Sequence, residues 1–153
     1  AGQVCVSVQR VYVHEEIARP FAEKLAEIAT TLKVGDPLDP QTDVGPMIAE
    51  SEVIRVQEWV EEAVAAGAEI KTQDFLSSYS PTVLFSPPDS IKVSTHEIFG
   101  PVICVYPYSH LEEAIEKALR TFGGTSGGST VQIDEFCRSS ARFSKCAATH
   151  LDN

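Results

Sequence analysis

Cys5, in the run Gly2-Gln3-Val4-Cys5, is the side chain of this sequence best suited to covalent chemistry. A thiolate is the strongest nucleophile that side chains offer near neutral pH, and a small residue close by lets substrate and backbone amides approach it. Spacing alone also fits a buried or incidental thiol. The second candidate is Glu97-Ile98-Phe99-Gly100-Pro101. Gly-Pro fixes a turn there, and an acid next to an aromatic suits a ribose hydroxyl and a flat ring. The structural alternative is a capped loop entering a strand.

The remaining reactive side chains read as structural. His14, His96, His110 and His150 have no ligand-like spacing among themselves or with the cysteines, so no metal site is expected. Cys104 stands among Val102, Ile103 and Val105 as a small buried hydrophobe. Cys137 and Cys146 are nine residues apart and do not form a pair. No C-x-x-C occurs, and four cysteines in 153 residues read as thiols of a reducing compartment, which points to the cytoplasm.

These candidates must be positioned by the elements around them. Gln9 to Val13 is a β-branched and aromatic run, read as a strand. Ile17, Phe21, Leu25, Ile28 and Leu32 then form one stripe of an amphipathic helix, with Pro20 placed in its first turn and Gly35 ending the segment. Gly35 to Met47 has no periodicity, three prolines and two glycines, and reads as an ordered surface loop. A second helix carries Val53, Val56, Val60 and Val64 as its buried stripe and stops at Gly67.

Residues 68–72 and 81–85 read as strands separated by a polar loop around Ser77 to Ser80, and the continuously apolar run 102–106 as a strand covered on both faces. Ser109 and Glu112 make a capping box for a helix whose apolar face is Leu111, Ala114, Ile115, Ala118 and Leu119. A glycine-rich turn over 122–130 precedes a strand near Thr130 to Ile133, and a weakly patterned helix follows over 134–146. Strands alternating with helices give an α/β class: one domain, a sheet flanked by helices in three layers. The helical acids, such as Glu58, Glu61, Glu62, Glu112, Glu113 and Glu116, form solvated faces, and Trp59 covers a helix edge.

Composition removes two partners. Twelve Lys plus Arg against 22 Asp plus Glu leave a net charge of −10, which opposes binding to nucleic acid or an anionic membrane surface. No apolar run approaches the roughly 20 residues a spanning helix needs, and no basic segment followed by an apolar stretch opens the chain. A hydrophobic fraction of 43% is ordinary for a folded domain of this size.

Six segments, in order, resemble the catalytic domain of the NAD(P)-dependent aldehyde dehydrogenase superfamily. They are Gly2-Gln3-Val4-Cys5 with Arg10-Val11-Tyr12-Val13, Gly35-Asp36-Pro37-Leu38-Asp39, Asp43-Val44-Gly45-Pro46-Met47-Ile48, Gly67-Ala68, Pro81-Thr82-Val83-Leu84, and Glu97-Ile98-Phe99-Gly100-Pro101-Val102. The likeness covers Gly2 to about Ala118. After it, Leu119 stands where the family has Asn, and residues 119–153 follow the family pattern only loosely.

The resemblance implies that Cys5 is the nucleophile. It would form a thiohemiacetal with an aldehyde, lose hydride to the nicotinamide of NAD or NADP, and leave a thioester for water or coenzyme A to release. The backbone N–H of Cys5 would stabilise the oxyanion, Glu97 would hold the nicotinamide ribose, and Phe99 would lie beside the nicotinamide. The resemblance places the family's dinucleotide-binding domain and general base before the cysteine motif and its C-terminal interface segment after this region. The cofactor would be bound mainly by that separate domain, and these residues by themselves are expected to be inactive. Exposed apolar surface is expected to make the chain a homo-oligomer. The alternative reading is a truncated domain that keeps the fold and acts at most as an interaction or assembly module.

Overall fold

The computed structural model describes residues 2–5, 7–72, 79–120 and 130–133. The glycine-rich turn, the expected helix over 134–146, Cys137, Cys146 and His150 lie outside the described residues, as does part of the expected loop at Ser77 to Ser80. The elements are β1 (Val8–His14), α1 (Glu15–Thr31), α2 (Glu50–Ala65), β2 (Glu69–Ile70), β3 (Thr82–Phe85), α3 (Lys92–Thr95), β4 (Val102–Tyr108), α4 (Leu111–Arg120) and β5 (Thr130–Ile133). They form one sheet in the order β2-β3-β4-β1-β5. β1, β3, β4 and β5 run parallel, and β2 pairs antiparallel with β3 at one edge.

Parallel strands need crossover connections, and these place helices on both faces of the sheet. On one face, α1 covers Val11, Val13, Val83, Phe85 and Val105. On the other, α2 and α4 cover Tyr12, Leu84, Val102, Cys104 and Tyr106. Alternate residues of β1 and β4 therefore enter opposite cores, which makes the three-layer α/β sandwich expected from the alternating pattern.

The α1 stripe is rotated from the expected one. Ala18, Ala22, Ala26 and Ala29 are its buried residues, while Ile28 is 52% and Leu32 38% exposed. Alanine lets the helix lie close against the sheet, and the larger Ile17, Phe21 and Leu25 pack around that seam half-buried. The helix begins at Glu15, so Pro20 stands beyond the first turn, where its missing N–H removes the donor that would serve the Glu16 carbonyl. It also ends at Thr31 with Leu32 as its cap. Gly35 instead sends its N–H to the Val44 carbonyl, closing the neck of the 35–47 loop through the Val34–Val44 bridge.

α2 buries Val56, Val60 and Ala63, with Val53 half-buried and Val64 turned to solvent. Its end follows the Schellman pattern: Gly67, at φ +105°, donates to Val64 and Ala68 donates to Ala63. Glycine is required there because the left-handed region strains other side chains. The Ser109 hydroxyl donates to the Glu15 carboxylate at 2.8 Å, so it ties α4 to α1 where a capping box was expected.

Arg19 on α1 forks onto Glu69 of β2 through two 2.8 Å hydrogen bonds, and Lys71 adds a third at 2.8 Å. First Arg19 and then Lys71 hold the Glu69 carboxyl down from 4.5 to about 2. A depressed carboxyl contributes its stability above the unfolded value and loses it as pH falls through the folded one. The α1–β2 clamp is therefore expected to hold at pH 5 and to release between about 4.5 and 2. A carboxyl 13C titration checks this, and a Glu69 midpoint near 4.5 would contradict it.

Candidate active site

Cys5 stands exposed on a turn, and close by the Ser7 N–H donates to the Val4 carbonyl at 3.0 Å. Three contacts hold this turn to the fold. Gly2, at φ +74°, lies so close to Gly100 that a β-carbon there would stand 1.9 Å from the Gly100 carbonyl oxygen. The Ser7 hydroxyl donates to the Gly2 carbonyl at 3.2 Å. The Gln3 amide spans the 45–48 segment, donating through Nε2 to the Pro46 carbonyl at 3.0 Å and accepting from the Ile48 N–H at 2.8 Å. Among the described residues no carbonyl takes up the Cys5 N–H.

Three of the motif segments named above thus meet. Gly100 itself packs on Met47 and Val56, whose nearest atoms lie 3.4 and 3.2 Å from where its β-carbon would be. The glycines of Gly2-Gln3-Val4-Cys5 and Glu97-Ile98-Phe99-Gly100-Pro101 are the price of that close approach. Gln3, which the sequence reading left without a role, is the side chain that joins the third segment. Gln3→Ala is expected to raise the exchange rate of the Ile48 amide about fivefold, the effect of one hydrogen bond near 1 kcal/mol. An unchanged rate in amide-exchange NMR would contradict the clamp.

Glu97 is exposed, and its neighbour Ile98 is fully buried. The Gln9 Oε1 accepts from the Ile98 N–H at 2.8 Å, Arg10 Nη2 donates to the His96 carbonyl at 2.9 Å, and Arg55 Nη2 donates to the Ile98 carbonyl at 2.7 Å. Phe99 is half-buried and holds φ +50°, a backbone state that a non-glycine residue keeps only when its surroundings fix it. Arg55 lies over the Trp59 ring at 4.5 Å, and that ring meets His96 at 5.7 Å. Trp59 therefore covers a helix edge, as expected from its place off the valine stripe.

An exposed carboxylate is an acceptor pair suited to the two hydroxyls of a ribose. Glu97 stands two residues from a half-buried aromatic, on backbone held at three points. Cys104, by contrast, is fully buried, and burial pushes its thiol up to about 12. It stays protonated and unreactive. Among the described residues no three His, Cys, Asp or Glu are grouped to hold a metal, and no helix is long and apolar enough to cross a membrane.

Known proteins resemble this chain in sequence and in fold. The 3-sulfolactaldehyde dehydrogenase of Priestia megaterium is 42% identical over 144 residues, covering 93% of this chain and 30% of the relative. A putative NADP(+) succinate-semialdehyde dehydrogenase of Mycobacterium tuberculosis is 34% identical over 142 residues, covering 86% of this chain and 27% of the relative. The chain thus spans about 30% of the length of the curated relatives it matches. Among solved structures, aldehyde dehydrogenase 21 of Physcomitrella patens, in complex with the reaction product succinate, superposes with a TM-score of 0.71 and 32% identity. That match covers 88% of this chain and 32% of the other. The NADP-dependent glyceraldehyde-3-phosphate dehydrogenase of Bacillus halodurans, complexed with NADP, gives 0.72 and 25% identity, over 91% and 33%. The aldehyde dehydrogenase family model matches residues 1–147. With a three-layer fold, a glycine-seated cysteine turn and matches over most of its length, the chain belongs to the aldehyde dehydrogenase family.

Proposed function

We propose that these residues are the nucleophile-bearing part of an oxidoreductase that converts an aldehyde to a carboxylic acid or acyl thioester with NAD or NADP. The observation that carries this reading is the seating of the exposed Cys5 turn directly on the Glu97–Pro101 segment through Gly2 and Gly100. The Cys5 thiolate adds to the aldehyde carbon, and the carbonyl oxygen becomes an oxyanion within reach of the Cys5 N–H. Protonation of that oxygen completes a thiohemiacetal. Glu97 would hold the ribose hydroxyls and Phe99 would lie beside the nicotinamide. When bound, the nicotinamide supplies the hydride acceptor that takes the carbon to the thioester level. Water or coenzyme A then releases the acyl group from the Cys5 sulfur.

The turnover belongs to the longer assembly of which this chain is about a third or less in the relatives, and these residues by themselves are expected to form no NADH. The protein acts in the cytoplasm and associates with copies of itself. Its exposed Ile28, Leu32, Leu38 and Ile48 support association, as does an apolar groove of about 220 Å3 along Leu25, Ile28, Leu32 and Val44.

Short aldehydes bearing an acid group, of the kind named for the relatives, are the first substrates to assay. Succinate semialdehyde labelled with 13C at its aldehyde carbon is expected to give a thiohemiacetal signal with the wild-type chain and none with Cys5→Ser. Equal spectra from the two would overturn the reading and favour a domain without its own chemistry.

A further inference from the structure

We propose that Gln9 and Arg10 are positioning residues for Glu97. A bulge in the strand leading away from the cysteine turn brings both side chains onto the two peptide groups that flank that carboxylate. The inference rests on Glu97 receiving the nicotinamide ribose.

In a regular strand, consecutive side chains point to opposite faces, and only one of them can serve a given neighbour. β1 departs from this where it leaves the cysteine turn. Val8 pairs with Thr130 and Arg10 with Val131, so two steps on β1 match one on β5, and Gln9 is the extra residue. Such bulges re-aim side chains and are frequent beside active sites. Here Gln9 and Arg10, each 1% exposed, reach the same segment of chain.

Their targets are the peptide planes on either side of Glu97. The His96 carbonyl, held by Arg10, belongs to the plane that enters Glu97, and the Ile98 N–H, held by Gln9, to the plane that leaves it. Peptide groups are rigid, so fixing both planes fixes the backbone angles of Glu97 and the direction in which its side chain departs. Arg55 holds the next plane through the Ile98 carbonyl, and Phe99 at φ +50° follows.

A packing role alone does not account for Gln9. A buried amide costs stability unless its groups are paired, and among the described residues Gln9 Nε2 has no partner. An apolar side chain would spare the unpaired Nε2 but leave the buried Ile98 N–H without its acceptor, so this hydrogen bond, not the filling of space, accounts for the residue.

The test uses the 15N-labelled chain titrated with nicotinamide mononucleotide, which carries the ring and its ribose, followed at the amides of Glu97 and Phe99. Wild type is expected to respond, and Glu97→Ala to lose the response. Gln9→Leu is expected to weaken binding about fivefold, the loss of one positioning hydrogen bond. Gln9→Glu, which keeps an acceptor oxygen for the Ile98 N–H at nearly the same volume, is expected to restore binding. Cys104 gauges folding: in each variant it must remain closed to iodoacetamide, as its burial requires.

If Gln9→Leu binds like wild type while Glu97→Ala does not, the positioning role is overturned and Glu97 keeps its own. Equal loss in Gln9→Leu and Gln9→Glu also overturns it, since the acceptor would not matter. If wild type and Glu97→Ala respond alike, the reading of Glu97 fails and the positioning role falls with it.

Discussion

Gly2→Ala is expected to release residues 2–5 from the fold while leaving its melting temperature almost unchanged. The new β-carbon would stand 1.9 Å from the Gly100 carbonyl oxygen, and the φ of +74° disfavours alanine whatever the space. Strain of this kind costs about 1–3 kcal/mol for the dihedral alone. Holding the segment in place are two Gln3 hydrogen bonds and one from Ser7. At about 1 kcal/mol each, these roughly match the strain before the overlap is counted. The Gly100 side cannot yield, because it packs on Met47 and Val56 of the loop and helix beneath it. The segment therefore leaves and the core stays. Amide exchange at Ser7 and Ile48 is expected to reach the rate of free peptide; retained protection at both would contradict this account.

Ile98→Ala is expected to act in the opposite way, on the whole fold. Ile98 is fully buried in the core shared by α2, β3 and β4, and it lies between Glu97 and Phe99. Truncating such a side chain costs about 2–5 kcal/mol, from lost transfer energy and the cavity left behind. It also removes the anchor that keeps the chain turning at Phe99, so nucleotide contacts through Glu97 weaken along with stability. Urea unfolding checks the magnitude, and a midpoint within error of wild type would show that the anchor lies elsewhere.

The two substitutions separate what this sequence displays from what it conceals. The apolar runs of β1 and β4 and the stripe of α4 are legible because periodicity is local. The α1 stripe was misjudged because four alanines carry little hydrophobic signal, yet they decide how closely the helix meets the sheet. The bulge at Gln9 was invisible, since a register shift is defined only against β5, more than a hundred residues away in the chain. Gln3 meets Ile48 across 45 residues, and nothing in either short run announces the pairing. Glu97, Phe99 and Cys5 were singled out by residue type, but only their resemblance to a family gave them roles. A polar pair, Gln9-Arg10, just before the run Val11 to Val13 was the one local sign that β1 holds something besides core.

The central claim is that Cys5 is an accessible nucleophile that aldehydes engage. The direct measurement is mass spectrometry after a brief pulse of iodoacetamide, on the wild-type chain and on Cys5→Ser, with and without succinate semialdehyde. The account predicts that Cys5 labels faster than Cys137 and Cys146, that the aldehyde slows labelling at Cys5 alone, and that Cys104 stays unlabelled. Labelling of Cys5 no faster than at Cys137 or Cys146, and indifferent to the aldehyde, would contradict it.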